Sequence, residues 1–140
     1  MIVLDTNVLS ESFRVDAADE VVEFVTQTQG LAITSISVFE LLNGARLLPD
    51  GRRRGGIVAA IESVLGDLSG RVLPYDAPAA RMHAELAERR RAEGRALSIE
   101  DGMIAGICRE RGAALATRNT RDFLALGIEL INPWAVDRLE

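Results

Sequence analysis

The sequence predicts an α/β domain of three layers, with helices covering both faces of a five-stranded parallel sheet. Three observations carry that expectation: short unbroken apolar runs, helical-period segments alternating with them, and Gly or Pro punctuation between the two. A strand buried on both faces needs a continuous apolar run, and a parallel crossover needs a helix between successive strands. At 140 residues, with no linker, repeat or low-complexity tract, the chain is expected to form one domain over residues 1–140.

The elements follow in order. Met1 to Leu4 is the first strand, ended by Asp5-Thr6-Asn7, with Val8 to Phe13 a short helix behind it. Asp19 to Thr28 sets Val21, Val22, Phe24 and Val25 at helical spacing, and Gly30 closes that helix. Leu31-Ala32-Ile33 is the second strand, and Thr34-Ser35-Ile36-Ser37 leads into a helix through about Leu47. Pro49-Asp50-Gly51 is a turn, extended by Arg52-Arg53-Arg54-Gly55-Gly56 as a basic loop or frayed helix start before a helix over Ile57 to Leu68. Arg71-Val72-Leu73-Pro74 is the third strand, stopped by its proline. Ala77 to Arg91 is a helix broken by Gly94, and Ser98 opens another to about Arg111, with Gly112 as its C-cap. Ala113 to Ala116, a short helix from Thr120 to Leu126, and a strand from Ile128 to Ile131 complete the pattern.

Composition narrows the chemistry. Hydrophobic residues make up 48% and charged residues 26%, the balance of a globular domain rather than a disordered one. No apolar stretch approaches the roughly 20 residues needed to cross a bilayer. Met1-Ile2-Val3-Leu4 meets Asp5 with no basic region before it, so a cytoplasmic protein without a secretory signal is expected. The single cysteine, Cys108, excludes an internal disulfide and any cysteine-rich zinc site, and its apolar neighbours predict a buried thiol. His83 is the only histidine and sits mid-helix with no evident partner, so Ser or Cys triad chemistry is poorly supported. A net charge of −5 argues against coating nucleic acid by bulk electrostatics, but not against local arginines at an acidic metal site.

Carboxylates are what the chain has in quantity. Asp5 follows the first strand, Glu40 lies early in the helix after the second, and Asp122 lies just beyond the fourth, behind Asn119. Asp101 opens the helix that precedes the fourth strand, and reaches the same rim only if that helix begins at the strand tips. Parallel sheets place ligand sites outside the carboxyl ends of their strands. Converging carboxylates raise one another's pKa, and a divalent cation relieves that far better than helix N-termini do. Mg2+ takes oxygen ligands and works through few carboxylates plus substrate phosphate, which suits phosphodiester hydrolysis. A competing account stands beside this one. Ser37 with Glu40, Ser98 with Asp101, and Asn119 with Asp122 all have capping-box spacing, and Asp5-Thr6-Asn7 fits a capping turn. Spacing alone does not decide between caps and ligands.

Ile2-Val3-Leu4-Asp5-Thr6-Asn7-Val8-Leu9-Ser10-Glu11 resembles the opening of PIN domains, in particular the VapC and FitB-like toxins of toxin–antitoxin systems. Ser35 to Leu41 with Gly44, Asp101-Gly102-Met103-Ile104-Ala105, Ala116 to Phe123, and Asn132-Pro133-Trp134 resemble the later motifs, in order and across the chain. The resemblance implies a PIN-like five-stranded parallel sheet and endoribonuclease activity dependent on Mg2+ or Mn2+. It also implies a homodimer and neutralisation by a cognate VapB-like antitoxin, with DNA reached only through that antitoxin. Carried over by position, Asp5, Glu40 and Asp101 match the acidic metal positions. FitB-like members place an aspartate right after Thr-Arg, where this chain has Asn119. Other VapC-like members have asparagine there and an acid a few residues on, as Asp122 is here. Asn119 is therefore expected to touch metal, water or substrate, and Asp122 to be the fourth acid or a helix cap. Thr6 and Asn7 are expected to orient Asp5, and Thr117 and Arg118 to steady the substrate phosphate, with a surface ion pair the alternative for Arg118.

Arg52-Arg53-Arg54 and Arg89-Arg90-Arg91 are the two basic runs. Such runs are ordinarily solvated faces; the sharper expectation is that one of them tracks an RNA backbone. Two rival functions remain. One is a PIN-like binding module with a weakened active site, acting through its antitoxin complex, for which Asn119 speaks. The other is a receiver or dehalogenase-like phosphotransfer domain, against which speak Asn7, where a second aspartate would be needed, and the absence of acids in Met1 to Leu4.

Overall fold

The first strand becomes the central one. The structure, a computed structural model, describes residues 1–135; the last five residues of the expected 1–140 domain lie outside the described residues. Five parallel strands, β1 (Ile2–Leu4), β2 (Leu31–Thr34), β3 (Val72–Leu73), β4 (Ala114–Ala116) and β5 (Leu130–Ile131), form one sheet in the order β3-β2-β1-β4-β5. Ile2 pairs with Leu31 on one side and with Ala114 on the other.

Six α-helices cover the sheet: α1 (Thr6–Ser12), α2 (Asp19–Gln27), α3 (Ser35–Arg46), α4 (Arg52–Asp67), α5 (Ala77–Ala92) and α6 (Ile99–Arg111). Strand side chains alternate between the two faces. Leu4, Leu31, Ile33 and Ala116 pack with Val8 and Leu9 of α1, Val21 of α2, Leu41 of α3 and Ile61 of α4. Val3, Ala32 and Leu115 pack on the other face with Leu86 of α5 and Ile104, Ile107 and Cys108 of α6. This is the α/β/α arrangement expected. No helix among the described residues is long and apolar enough to cross a membrane.

α5 and α6 come unusually close. A Cβ on Gly106 would stand 2.6 Å from the Ala79 carbonyl oxygen, and one on Gly102 would run into the His83 ring. The absent side chains let the two backbones touch. His83 does have a partner: its Nδ1 lies 2.8 Å from the Tyr75 hydroxyl, and burial lowers its pKa. Cys108 is fully buried as expected, its thiol pushed up to about 12 by burial first and the Asp5 charge second.

One open alternative is decided and two local expectations are corrected. The basic run Arg52 to Arg54 is the first turn of α4, helped by an ion pair of Arg54 with Asp50 at 2.7 Å. In the second run Arg89 and Arg91 are exposed, but Arg90 is only 3% exposed, its guanidinium donating to the backbone carbonyls of Asp122 (2.7 Å) and Leu124 (3.0 Å). That contact also explains why Thr120 to Leu126 is no α-helix. Only a 3-10 turn, Thr120–Phe123, forms; the carbonyls that would continue it point to Arg90, and Ala125 takes a left-handed φ of 64°.

Candidate active site

β1 and β4 lie side by side, and the chain leaves them in opposite directions across the sheet, toward β2 and toward β5. A crevice opens at the carboxyl ends where such connections diverge. Asp5 is the first residue after β1 and Thr117 the first after β4. Asp5 caps α1, one carboxylate oxygen accepting from the Thr6 N–H at 2.8 Å. Its other oxygen accepts from the Thr117 hydroxyl at 2.7 Å and from the Asn7 amide at 3.3 Å. Thr117 Oγ1 accepts in turn from the Asn119 N–H at 3.1 Å, and the Asn7 side-chain Oδ1 accepts from the Arg118 N–H at 3.3 Å. Asn7 is thus not a cap: it lies inside α1 and ties the two strand tips together.

Glu40 comes from α3. Its Oε1 accepts from the Thr6 hydroxyl at 2.5 Å, and that hydroxyl lies 2.8 Å from Ser37 Oγ. A hydroxyl has one proton, so Thr6 gives its own to Glu40 and receives that of Ser37. The capping box expected of Ser37 and Glu40 does not form. Thr34 is the N-cap, accepting from the Ser37 N–H at 3.1 Å, because the helix starts one turn earlier. Ser37 is a site residue that sequence reasoning missed, its capping spacing having hidden its role.

Asp101 reaches the same end because α6 runs down the sheet into β4. The helix closes at Gly112 in a left-handed conformation before β4 begins, so its start lies by the strand tips. Ser98 caps it, accepting from the Asp101 N–H at 3.2 Å. The corresponding expectation for Asn119 and Asp122 fails: the Asn119 side chain caps nothing, and its backbone carbonyl takes the Asp122 N–H.

Asp5, Glu40, Asp101, Arg118, Asn119 and Trp134 line one open cavity of about 520 Å³, with Thr6 and Asn7 in its wall. The Arg118 guanidinium stacks over the Trp134 ring at 4.9 Å rather than forming a surface ion pair; Trp134 had no assigned role in the sequence reading. Thr117 lies buried beneath Asp5. Asp122 is exposed and lines a neighbouring cavity instead, which Asp101 also borders.

Electrostatics follow the crowding. Burial raises the Asp5 pKa; hydrogen bonds from Thr117, Thr6 and Asn7 oppose this, and the Asp122 charge adds to it. Burial likewise raises Asp101, opposed by Ser98 and reinforced by the charges of Asp5, Asp122 and Glu40. A raised carboxylate keeps its proton longer in the folded chain than in the unfolded one. The stability it contributes is complete below the ordinary value of 3.8 and is lost as pH climbs through the folded-state value. Asp101→Asn is therefore expected to melt above the wild type at neutral pH without divalent ions. That difference should close as pH falls toward 3.8; thermal melts of both proteins across pH check it, and a gain independent of pH would contradict it.

The lining suits a hard cation. Its acidic donors are all carboxylates, while the only histidine and cysteine lie elsewhere. Among the described residues no three His, Cys, Asp or Glu side chains gather tightly enough to enclose an ion by themselves.

Residues 2–128 match the family described as PIN domain. The chain belongs to the PIN domain family. Its relatives include VapC ribonuclease Y4jK of Sinorhizobium fredii, 38% identical over 96% of this chain and 98% of the relative. Toxin FitB of Neisseria gonorrhoeae is 33% identical over 96% and 99%. Among solved structures, that of FitAB bound to the IR36 DNA fragment superposes with a TM-score of 0.94 at 31% identity, covering 100% of both chains. In this PIN domain the site faces the end of the sheet where Asp5, Glu40 and Asp101 line one cavity.

Proposed function

We propose that this PIN domain is a VapC-like endoribonuclease toxin that hydrolyses RNA phosphodiester bonds with Mg2+, or Mn2+ in its place. The observation that carries the reading is the shared cavity of Asp5, Glu40 and Asp101 at the divergence of β1 and β4. The ribonuclease and toxin names of the two relatives support it. A cognate VapB-like antitoxin, a homodimer, action in the cytoplasm and contact with DNA only through the antitoxin belong to the same reading, as does a single domain over 1–140.

Asp5, Glu40 and Asp101 would hold the cation, with Asn119 at the rim and Asp122 beyond Asp101. A cation bound there supplies positive charge against the phosphoryl oxygens and an acidified water. The chain does the rest by orientation. Asp5 is fixed by bonds to residues on both sides of the crevice, so its free lone pairs face the cavity in one rotamer. The Ser37–Thr6–Glu40 relay does the same for Glu40. Arg118, held flat by Trp134, presents a guanidinium to a phosphate entering the cavity. One observation favours a second reading, a weakened module acting through its antitoxin complex: Asn119 lines the cavity where FitB-like members place an aspartate after Thr-Arg.

The deciding experiment is a divalent-ion titration of single-stranded RNA cleavage by the wild type beside Asp5→Ala. Cleavage should saturate with Mg2+ or Mn2+, stop with EDTA and vanish in the variant. Cleavage insensitive to both treatments would overturn the proposal, and metal binding without cleavage would favour the second reading.

A further inference from the structure

We propose that the cavity on the far side of Asp101 is a subsite for an RNA phosphate neighbouring the scissile one. It measures about 660 Å³ and is lined by Arg90, Arg95, Arg121, Ser98, Asp101 and Asp122. Asp101 borders both this cavity and the carboxylate site, so the two are adjoining rooms with one shared wall.

Arg90 sets this cavity apart from an ordinary basic patch. It is 3% exposed, and one guanidinium nitrogen is spent on the carbonyls of Asp122 and Leu124. Its Nε is buried with no hydrogen-bond partner among the described residues, and no carboxylate there lies within ion-pair distance of it. Buried charges are otherwise paired, and buried N–H groups otherwise find acceptors. A buried guanidinium balanced by two carbonyls alone is short of an anion. Arg95 and Arg121 add exposed guanidinium groups in the same wall, neither in an ion pair among the described residues. Three cations thus face the two carboxylates of Asp101 and Asp122, and Asp101 is shared with the site that would hold the metal.

The anion that fits is a phosphodiester. Guanidinium forks match phosphate oxygens, and a polynucleotide laid over the first cavity carries its next phosphates past the Asp101 wall. This assignment rests on the ribonuclease reading of the first cavity. Of Arg89 to Arg91, only Arg90 lines this cavity.

The test measures binding of short single-stranded RNA by fluorescence anisotropy, in an Asp5→Asn background with EDTA present, which together hold cleavage off during the measurement. Arg95→Ser and Arg121→Ser, both at exposed positions, spare the fold; Arg90 is kept because it braces the turn after β4. Each substitution should weaken binding about tenfold, the loss of one charged hydrogen-bonding contact. Replacing both arginines together should also lower the slope of log affinity against log salt by about 0.7, the value for one phosphate on a single strand. A single neutral methylphosphonate walked along the RNA should cost affinity beside the scissile linkage in the parent, and less there in Arg121→Ser. Unchanged affinity in both variants, with an unchanged slope when both arginines are replaced, would overturn the subsite. So would an equal cost at every linkage, displacement by inorganic phosphate without any preferred linkage, or lost affinity for an acidic peptide with RNA binding intact. Wild-type cleavage is measured separately. Its absence strikes the ribonuclease reading, whereas intact cleavage with unchanged RNA binding in the variants strikes the subsite alone.

Discussion

Asp5→Asn is expected to cleave RNA about a hundredfold to a thousandfold more slowly than the wild type, the usual consequence of removing one preorganised electrostatic group. Geometry decides the outcome before electrostatics does. An asparagine in the same rotamer still offers an acceptor to the Thr6 N–H, so α1 keeps its cap. The Thr117 hydroxyl loses a charged acceptor, which costs of order 1 kcal/mol, while relief of a buried carboxylate offsets that cost. The fold therefore survives and the site loses a full charge. Cleavage rates, circular dichroism and calorimetric Mn2+ binding together check this. A variant that binds Mn2+ and cleaves like the wild type would remove Asp5 from the chemistry.

Gly106→Ala is expected to destabilise the domain by about 2 kcal/mol. The added Cβ would stand 2.6 Å from the Ala79 carbonyl oxygen and 3.1 Å from the His83 backbone nitrogen. Backbone atoms cannot swing aside, so α5 and α6 must part, at the upper end of the roughly 3 kcal/mol overpacking range. Alanine's better helix propensity returns about 1 kcal/mol. Gly55→Ala in α4, whose Cβ would meet nothing within 4 Å, is the control and should be neutral or stabilising. Denaturant unfolding of both variants distinguishes contact from propensity; equal stabilities would show that the helices are not held at that distance.

Most of the architecture was legible because its cause is local. Continuous apolar runs such as Leu31-Ala32-Ile33 have few alternatives to a doubly buried strand, and Ser98 and Gly112 bracket α6 as cap chemistry requires. What escaped depends on residues far apart. The helix expected after β4 stops after one 3-10 turn because Arg90, more than thirty positions earlier, captures its carbonyls. Asp50, outside α4, pairs with Arg54 inside it and helps a helix begin in a basic run whose charge opposes the helix dipole. The candidate site shows the same division. Asp5, Glu40, Asp101 and Asn119 were readable as polar residues after strands or at helix starts, and the structure lines one cavity with them. Asp122, expected from its place after β4 and from the resemblance, lines the cavity on the other side of Asp101. The hydroxyl relay from Ser37 stayed hidden because Thr34 and Ser37 are equally good caps on paper, and only the helix start decides which one is free to turn toward Thr6.

The bond between Thr117 and Asp5 joins residues 112 positions apart. A chain interrupted before β4 would carry all three candidate acids, yet β1 would lie at a raw edge with nothing beside it on the side where Asp5 is gripped. Asp5 is therefore made well before the residue that grips it, and the grip forms only once β4 has followed. Until β4 is in place Asp5 lacks the hydroxyl that fixes its second oxygen, so the crevice between the two strand tips is the last part of the fold to be completed.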